Sequence, residues 1–180
     1  MLRWLTEPRR TIATALELYG SSVAQTRRPE FYRDWCVADS LDGRFELVML
    51  HVGLLLRRLT RDGEAGKELG RRLVERMFAA LDDDLREIGV GDLTVPKRMT
   101  AAASSFYGRL KAYDGALEAG DQAALALALT RNLPAAAGHV LNAARLAAYS
   151  FAQADHLSTQ PFAHLHQGKV GFLEPGAITS

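Results

Sequence analysis

Apolar residues recur at three- and four-residue spacing along most of the chain, which is the period of an amphipathic α-helix. Residues 44–59 are apolar on most sides, whereas residues 64–88 place one apolar face opposite a charged one. A helix that is apolar on most sides belongs at the centre of a bundle. Alternating strand patterns and hairpin dipeptides between β-branched runs are scarce. The pattern therefore predicts an all-α, single-domain helical bundle of six to seven helices.

Glycine, proline and capping residues set the expected ends of these helices. Gly89 suits a helix C-terminus because glycine enters the left-handed conformation freely, and Pro134 should break a helix because it lacks an N–H. The predicted helices cover residues 8–19 (ended by Gly20), 31–38, 44–59, 64–88, 96–118, the stretch capped by Asp121, and 135–154. We expect residues 1–155 to form one helical domain and residues 156–180, rich in glycine and proline, to form an irregular C-terminal tail.

Composition narrows the class of protein. The chain has 180 residues, 48% hydrophobic and 24% charged, which is typical of one globular domain. The formal net charge of +1 provides no general attraction to nucleic acid or anionic lipid.

The longest apolar run, Leu47–Leu56, is half of the ~20 residues that span a bilayer. Cys36 is the single cysteine, so an intramolecular disulfide is excluded and a small buried side chain is favoured over a nucleophile.

Candidate catalytic groups are few. The run Asp82–Asp84 is similar to the aspartate-rich helix of isoprenoid synthases, but such a site needs a second acidic motif on a facing helix. Consecutive helical residues also point about 100° apart. His51 lies inside the apolar run, where a hydrogen-bonded core histidine is the expected role. We therefore predict no catalysis, no cofactor and no metal. A helical lipid- or isoprenoid-type enzyme that uses Asp82–Asp84 and a helical oligomerisation module remain as alternatives.

Arginines recur on the outer faces of the helices at 44–59 and 64–88, namely Arg57, Arg58, Arg61, Arg71, Arg72 and Arg76. A basic face of this kind can bind nucleic acid through phosphates. Acidic residues are interspersed among the arginines, so we expect a solvated helix face and no nucleic-acid partner.

The stretch 83–99, DDLREIGVGDLTVPKRM, combines a helix end, a glycine-rich turn and a helix start with seven charged side chains. We call these residues the charged corner. Lys97 and Arg98 fall in the first turn of the second helix, where positive charge is unfavourable by a few tenths of a kcal/mol. Asp92 would offset them, and pairing across the corner with Asp83, Asp84 or Glu87 is an alternative. A solvated helix hairpin is the simplest interpretation of the stretch taken alone.

Four segments, taken in order, carry a family resemblance: LDGRFELVMLHVGLLLRRL, LDDDLREIGVGDLTVPKRM, FYGRLKAYDGAL and ALALTRN. They resemble the core of the ubiquinol–cytochrome c chaperone family over about residues 31–135, and LREIGVGDLTVPKRM is the most specific part. Mitochondrial members of this family assist the assembly of cytochrome b into the bc1 complex together with a small partner. The resemblance implies an assembly chaperone and not an enzyme.

The resemblance also implies partners and a location. The expected partner is newly made cytochrome b or another bc1 subunit. The chain begins almost at once with its first helix, so we expect a bacterial relative in the cytoplasm, with at most peripheral association at the inner face of the cytoplasmic membrane. The candidate partner-binding residues that match the family segments are Arg86, Glu87, Asp92, Lys97, Arg98, Tyr107 and Arg109. An internal ion pair between Arg86 and Asp92 is the structural alternative for those two.

Overall fold

The computed structural model describes residues 3–91 and 93–177. Eight α-helical segments occur in this part of the chain, two of them only four residues long, together with one isolated β-bridge. The helices are α1 (Arg3–Thr26), α2 (Glu30–Arg33), α3 (Leu41–Leu59), α4 (Gly63–Glu87), α5 (Val95–Ala119), α6 (Gln122–Asn132), α7 (Ala143–Thr159) and α8 (Phe162–Leu165). A 3₁₀ turn follows at Pro175–Ala177. The predicted all-α fold is confirmed.

Helix α3 lies at the centre of the bundle, as its nearly continuous apolar surface predicted. It packs against α1, α4, α5 and α7. Twelve of its nineteen residues are buried, including Leu47, Val52 and Leu55, which are fully enclosed. The surrounding helices therefore depend on α3 for their apolar contacts.

Helix α1 continues through Gly20 to Thr26, so the predicted end at Gly20 is wrong. A glycine inside a helix costs about 1 kcal/mol relative to alanine. Burial of the next two turns offsets this cost, since Ser22, Gln25 and Thr26 are all at least nine-tenths buried. The Ser22 hydroxyl donates to the Leu18 carbonyl at 2.9 Å, so this polar group is satisfied inside the helix. Tertiary packing thus overrides the local signal.

The helix predicted over 135–154 begins only at Ala143 and ends at Thr159. Residues before it run irregularly and pair with the segment after α2. Ala38 N donates to Pro134 O at 2.8 Å, and Ala136 N donates to Cys36 O at 2.8 Å. The Asn142 side chain then accepts from Arg145 N at 3.2 Å and caps α7. These partners satisfy the backbone groups that a longer helix would otherwise have used.

Residues 160–177 are mostly irregular, but they pack onto the helical core. Leu165 is fully buried, and His166 O accepts from the Thr14 hydroxyl at 3.2 Å. Leu173 N donates to Gln153 Oε1 at 2.9 Å. The boundary placed at residue 155 falls inside α7, and the segment beyond α7 holds α1 and α7 together.

A close backbone approach fixes the start of α3. The Ser40 hydroxyl caps the helix by accepting from Gly43 N at 3.1 Å. A Cβ atom added to Gly43 would lie 2.0 Å from the carbonyl oxygen of Ala38. Only glycine fits here, so this residue sets how closely α3 packs against the segment that precedes it.

None of the helices described in the structure is both long enough and apolar enough to span a membrane.

Candidate functional site

The charged corner joins α4 to α5 over a small apolar cluster of its own. Leu81, Leu85 and Val95 are buried in this cluster. Gly89 ends α4 with a φ of 81°, the left-handed conformation predicted for it. Val90 N donates to Leu85 O at 3.0 Å. Packing and backbone hydrogen bonds therefore support the described backbone of the corner on both sides of residue 92.

Charged side chains at the corner are only partly paired. Arg86 Nε lies 2.7 Å from Asp82 Oδ2, one helical turn earlier. Lys97 and Arg98 are exposed and form no ion pair with any residue that the structure describes, so the alternative pairing with Asp83, Asp84 or Glu87 is not formed. Asp92 lies outside the described residues, which leaves its role and its pairing with Arg86 as predictions.

Two further residues of the corner have exposed side chains. Leu93 is 96% exposed in the turn, and Glu87 is exposed at the end of α4. The described part of the corner thus presents an apolar side chain, a carboxylate and two cations. An exposed leucine beside charged side chains can contact both apolar and polar groups of a protein partner.

Tyr107 lies farther along α5 and is 58% exposed. Its ring packs edge-on against Phe106, with centroids 5.3 Å apart. It borders a shallow groove between α4 and α5 that Val74 and Phe78 also line. Tyr107 is therefore accessible to solvent, and its role in partner binding remains a prediction.

Arg109, in contrast, faces a buried carboxylate. Its Nη2 atom lies 2.8 Å from Glu46 Oε1 of α3. Burial raises the pKa of Glu46 to about 7, while the Arg109 charge works against this rise and Asp42 adds to it. The second carboxylate oxygen, Oε2, is buried and accepts no hydrogen bond from the described residues. Arg109 therefore compensates a buried charge between α3 and α5, and its role in partner binding remains a prediction.

His51 belongs to a buried hydrogen-bond network, in line with the core role predicted for it. Its Nδ1–H donates to Leu47 O at 2.7 Å, so Nε2 accepts from the Tyr149 hydroxyl at 2.8 Å. The same hydroxyl accepts from Gln25 Nε2 at 3.0 Å, which also donates to Leu173 O at 2.7 Å. Burial lowers the pKa of His51 to about 4. His51 is thus neutral at physiological pH and links α3 to α1, α7 and the C-terminal segment.

His51 and Glu46 make opposite contributions to the pH dependence of stability. The lowered pKa of His51 means that the unfolded chain gains a proton first, so acidification from about pH 6.5 to 4 destabilises the fold. The raised pKa of Glu46 means that the folded chain gains a proton first, so acidification from about pH 7 to 4.5 stabilises it. Each of the two pKa shifts changes the free energy of unfolding by about 3 kcal/mol at most.

We therefore predict that Glu46→Gln makes the protein acid-sensitive. Its free energy of unfolding should fall by about 2–3 kcal/mol more than that of the parent between pH 6.5 and 4.5. The free energy of unfolding of the His51→Gln variant should instead fall less than that of the parent over the same interval. Urea titrations at pH 6.5, 5.5 and 4.5 measure both, with the double variant as the control. Parallel pH profiles for the parent and both single variants would contradict the assignment.

Arginines on the outer face of α4 form ion pairs with acidic side chains of the same helix. Arg71 and Arg72 contact Glu68 at 2.7 and 2.9 Å, and both also pair with Glu75. The expected solvated helix face is confirmed for this part of the arginine set. In the part of the chain that the structure describes, no group of three or more His, Cys, Asp or Glu side chains is arranged to hold a metal ion.

Comparisons with known proteins agree on one family. The sequence model of the family described as ubiquinol-cytochrome C chaperone matches residues 33–172. "Ubiquinol-cytochrome-c reductase complex assembly factor 1" of Xenopus laevis is 30% identical over 119 residues, which cover 66% of this chain and 59% of that protein. The Mus musculus protein of that name is 31% identical over 117 residues, or 65% of this chain and 39% of that protein.

A solved structure extends the similarity to nearly the whole chain. The crystal structure of the Cbp3 homolog from Brucella abortus is 34% identical in sequence, with a TM-score of 0.87. The match covers 99% of this chain and 100% of that one. The chain spans less than two thirds of the length of the animal relatives, but all of the bacterial structure. These comparisons favour neither the isoprenoid-type enzyme nor the oligomerisation module.

Proposed function

Since the chain belongs to the ubiquinol–cytochrome c chaperone family, we propose that it is an assembly chaperone for the bc1 complex that acts by protein–protein contact and not by catalysis. The observation that carries this proposal is the match with the Brucella abortus Cbp3 homolog over 99% of the chain at 34% identity. Supporting it, the animal relatives are named as assembly factors of the ubiquinol–cytochrome c reductase complex.

In this proposal the client is newly made cytochrome b or another bc1 subunit. The chaperone works in the cytoplasm, with at most peripheral association at the inner face of the membrane. Binding a client requires an exposed surface whose shape is set before contact, because ordering a loop on binding costs free energy. The charged corner has these properties, since its backbone is packed and its Lys97, Arg98 and Leu93 side chains are exposed.

Deletion of the gene in a respiring host tests the proposed function. We expect cytochrome b absorbance and bc1 activity to disappear while the other respiratory complexes stay active, and a plasmid copy of the gene should restore both. Normal cytochrome b in the deletion strain would overturn the proposal.

A double variant tests the corner as the recognition surface. Lys97→Ala with Arg98→Ala should leave the melting temperature unchanged or slightly raised, because it removes unfavourable charge from a helix N-terminus. The same variant should weaken client binding by about tenfold, or about 1.4 kcal/mol, and should therefore lower the cytochrome b content of a complemented deletion strain. Both quantities are measured in parallel, by a thermal melt and by a reduced-minus-oxidised spectrum.

Arg61 and Lys111 provide a matched control, because both are exposed and neither forms an ion pair with a described residue. Arg61→Ala with Lys111→Ala should support normal cytochrome b levels. The recognition-surface idea fails if the corner variant melts normally and also assembles cytochrome b normally. A large loss of thermal stability would instead assign the two cations a structural role.

A further inference from the structure

Next to the charged corner, a surface lies between α1, α3 and α4 and shares Asp84, Glu87 and Ile88 with the corner. It is a groove of about 260 Å³ with an apolar floor. The apolar side chains that line it come from all three helices: Tyr19, Val23, Leu41, Phe45, Val48, Leu81 and Ile88. Leu41 and Ile88 are 40% and 59% exposed, so the groove is open along its edge. A concave apolar surface of this kind, on the outside of a bundle, marks an interaction site.

An apolar stripe on α1 enters this groove at Tyr19 and Val23. Ile12, Leu16, Tyr19 and Val23 follow one another at four-, three- and four-residue spacing, which places them on one face of the helix. Ile12 and Leu16 are each about half exposed. Eleven residues of helix span about 16 Å, or three turns. The stripe and groove together therefore match the length of a short helix.

The two sides of the groove carry opposite charge. Arg27, in the turn that follows α1, and Arg44 of α3 lie on one side, and Arg44 also contacts Asp39 at 2.6 Å. Asp84 and Glu87 of α4 lie on the other side, and neither carboxylate forms an ion pair with a described residue. An occupant that fills the groove must therefore be apolar in the middle, acidic along one edge and basic along the other.

We propose that this groove binds an amphipathic helix of a partner protein, with a basic edge against Asp84 and Glu87 and an acidic edge against Arg27 and Arg44. A helix in a groove supplies apolar side chains at i, i+4 and i+7 to the floor and charged side chains to both rims. An anionic membrane surface would pair with Arg27 and Arg44 but would be repelled by the α4 carboxylates. The inference goes beyond the proposed function, because it rests on the groove alone and does not depend on the identity of a client.

Three designed peptides probe the groove. Each has fifteen residues, leucine at i, i+4, i+7 and i+11, and helicity matched by circular dichroism. The first carries lysine on one edge and glutamate on the other, the second lysine on both edges, and the third glutamate on both. Fluorescence anisotropy should show the mixed peptide binding about tenfold more tightly than either uniform peptide. Equal affinities for the three peptides, or no binding, would overturn the proposal.

Variants of the protein locate the binding site. Leu16→Glu and Ile88→Glu should each weaken the mixed peptide by about tenfold or more. Leu127→Glu is the matched control, because Leu127 is 63% exposed on α6 and does not line the groove. Leu16 of the α1 stripe and Ile88 of the groove are both exposed, so the variants should melt like the parent. An equal loss of binding in the Leu127 variant would overturn the assignment.

Charge reversal tests the orientation of the edges. Asp84→Arg with Glu87→Arg makes both sides of the groove basic, so the peptide with glutamate on both edges should become the tightest ligand. Asp83→Arg with Glu118→Arg is the control, because both residues are exposed and lie outside the groove. That control should keep the parental order of affinities, and a reversal there would contradict the proposal.

Sedimentation velocity identifies the occupant. We expect the parent protein to remain monomeric over the concentrations used for peptide binding. Dimerisation that Ile88→Glu abolishes and Leu127→Glu preserves would make a second copy of the chain the occupant and would overturn the proposal. These measurements use purified protein, so failure of peptide binding and failure of the deletion experiment are distinguishable results.

Discussion

Val52→Asp is expected to abolish folding. Val52 is fully buried near the middle of α3, the helix that four others pack against. An isolated carboxylate there has no cation to pair with, and burying it or protonating it costs several kcal/mol. The total stability of a domain of this size is only about 5–15 kcal/mol. A thermal melt and a urea titration should therefore show no cooperative transition, and Leu50→Asp should behave in the same way.

Leu127→Asp provides the control for this result. Leu127 is 63% exposed on α6, and surface substitutions of this kind usually change stability by less than about 0.5 kcal/mol. Its melt should overlay that of the parent. If Val52→Asp also melted like the parent, α3 would not be the centre of the core.

Gly43→Ala should destabilise the protein by about 2–4 kcal/mol. The added Cβ would lie 2.0 Å from Ala38 O, which is backbone and not the flexible end of a side chain. Relief requires a shift of the α3 N-terminus, which carries the Ser40 cap. The free energy of unfolding from urea titration measures this cost. An unchanged value would mean that the start of α3 moves freely.

Gly115→Ala is the matched substitution with the opposite expected sign. Gly115 lies inside α5, and a Cβ added there would have no atom within 4 Å. Alanine should therefore stabilise the helix by about 0.5–1 kcal/mol. The contrast between the two variants separates a glycine required by close approach from one that merely weakens a helix.

Much of the fold could be predicted where local signals and tertiary packing agree. The periodicity of α3 and α4, Gly89 at the end of α4 and Pro96 at the start of α5 each predict an end to within about three residues. Predictions were wrong where packing overrides sequence, at Gly20, at residues 34–38 and at residues 135–142. Gly20 lies inside a helix whose later turns are buried, and the alanine-rich segment pairs with the residues after α2.

The candidate site was predictable only in part. The resemblance located the corner, but it did not indicate that Lys97 and Arg98 form no ion pair with a described residue. The resemblance also identified Arg109 as a candidate partner-binding residue. The sequence does not indicate that this arginine forms an ion pair with the buried Glu46 carboxylate on another helix. The groove was missed because three separate helices line it. Among local sequence patterns, only the apolar stripe from Ile12 to Val23 on α1 indicates the groove. This stripe continues past Gly20, where the first helix was predicted to end.

The C-terminal segment has a consequence for synthesis of the protein. Thr14 and Gln25 of α1 bond to His166 and Leu173, which follow them by 152 and 148 residues. A ribosome therefore produces α1 long before the segment that completes its burial. Contacts between residues so distant in sequence form slowly, since the loop between them must close first. The nascent chain should thus carry an incompletely covered first helix through most of translation, and this interval is when other factors have access to the unfinished protein.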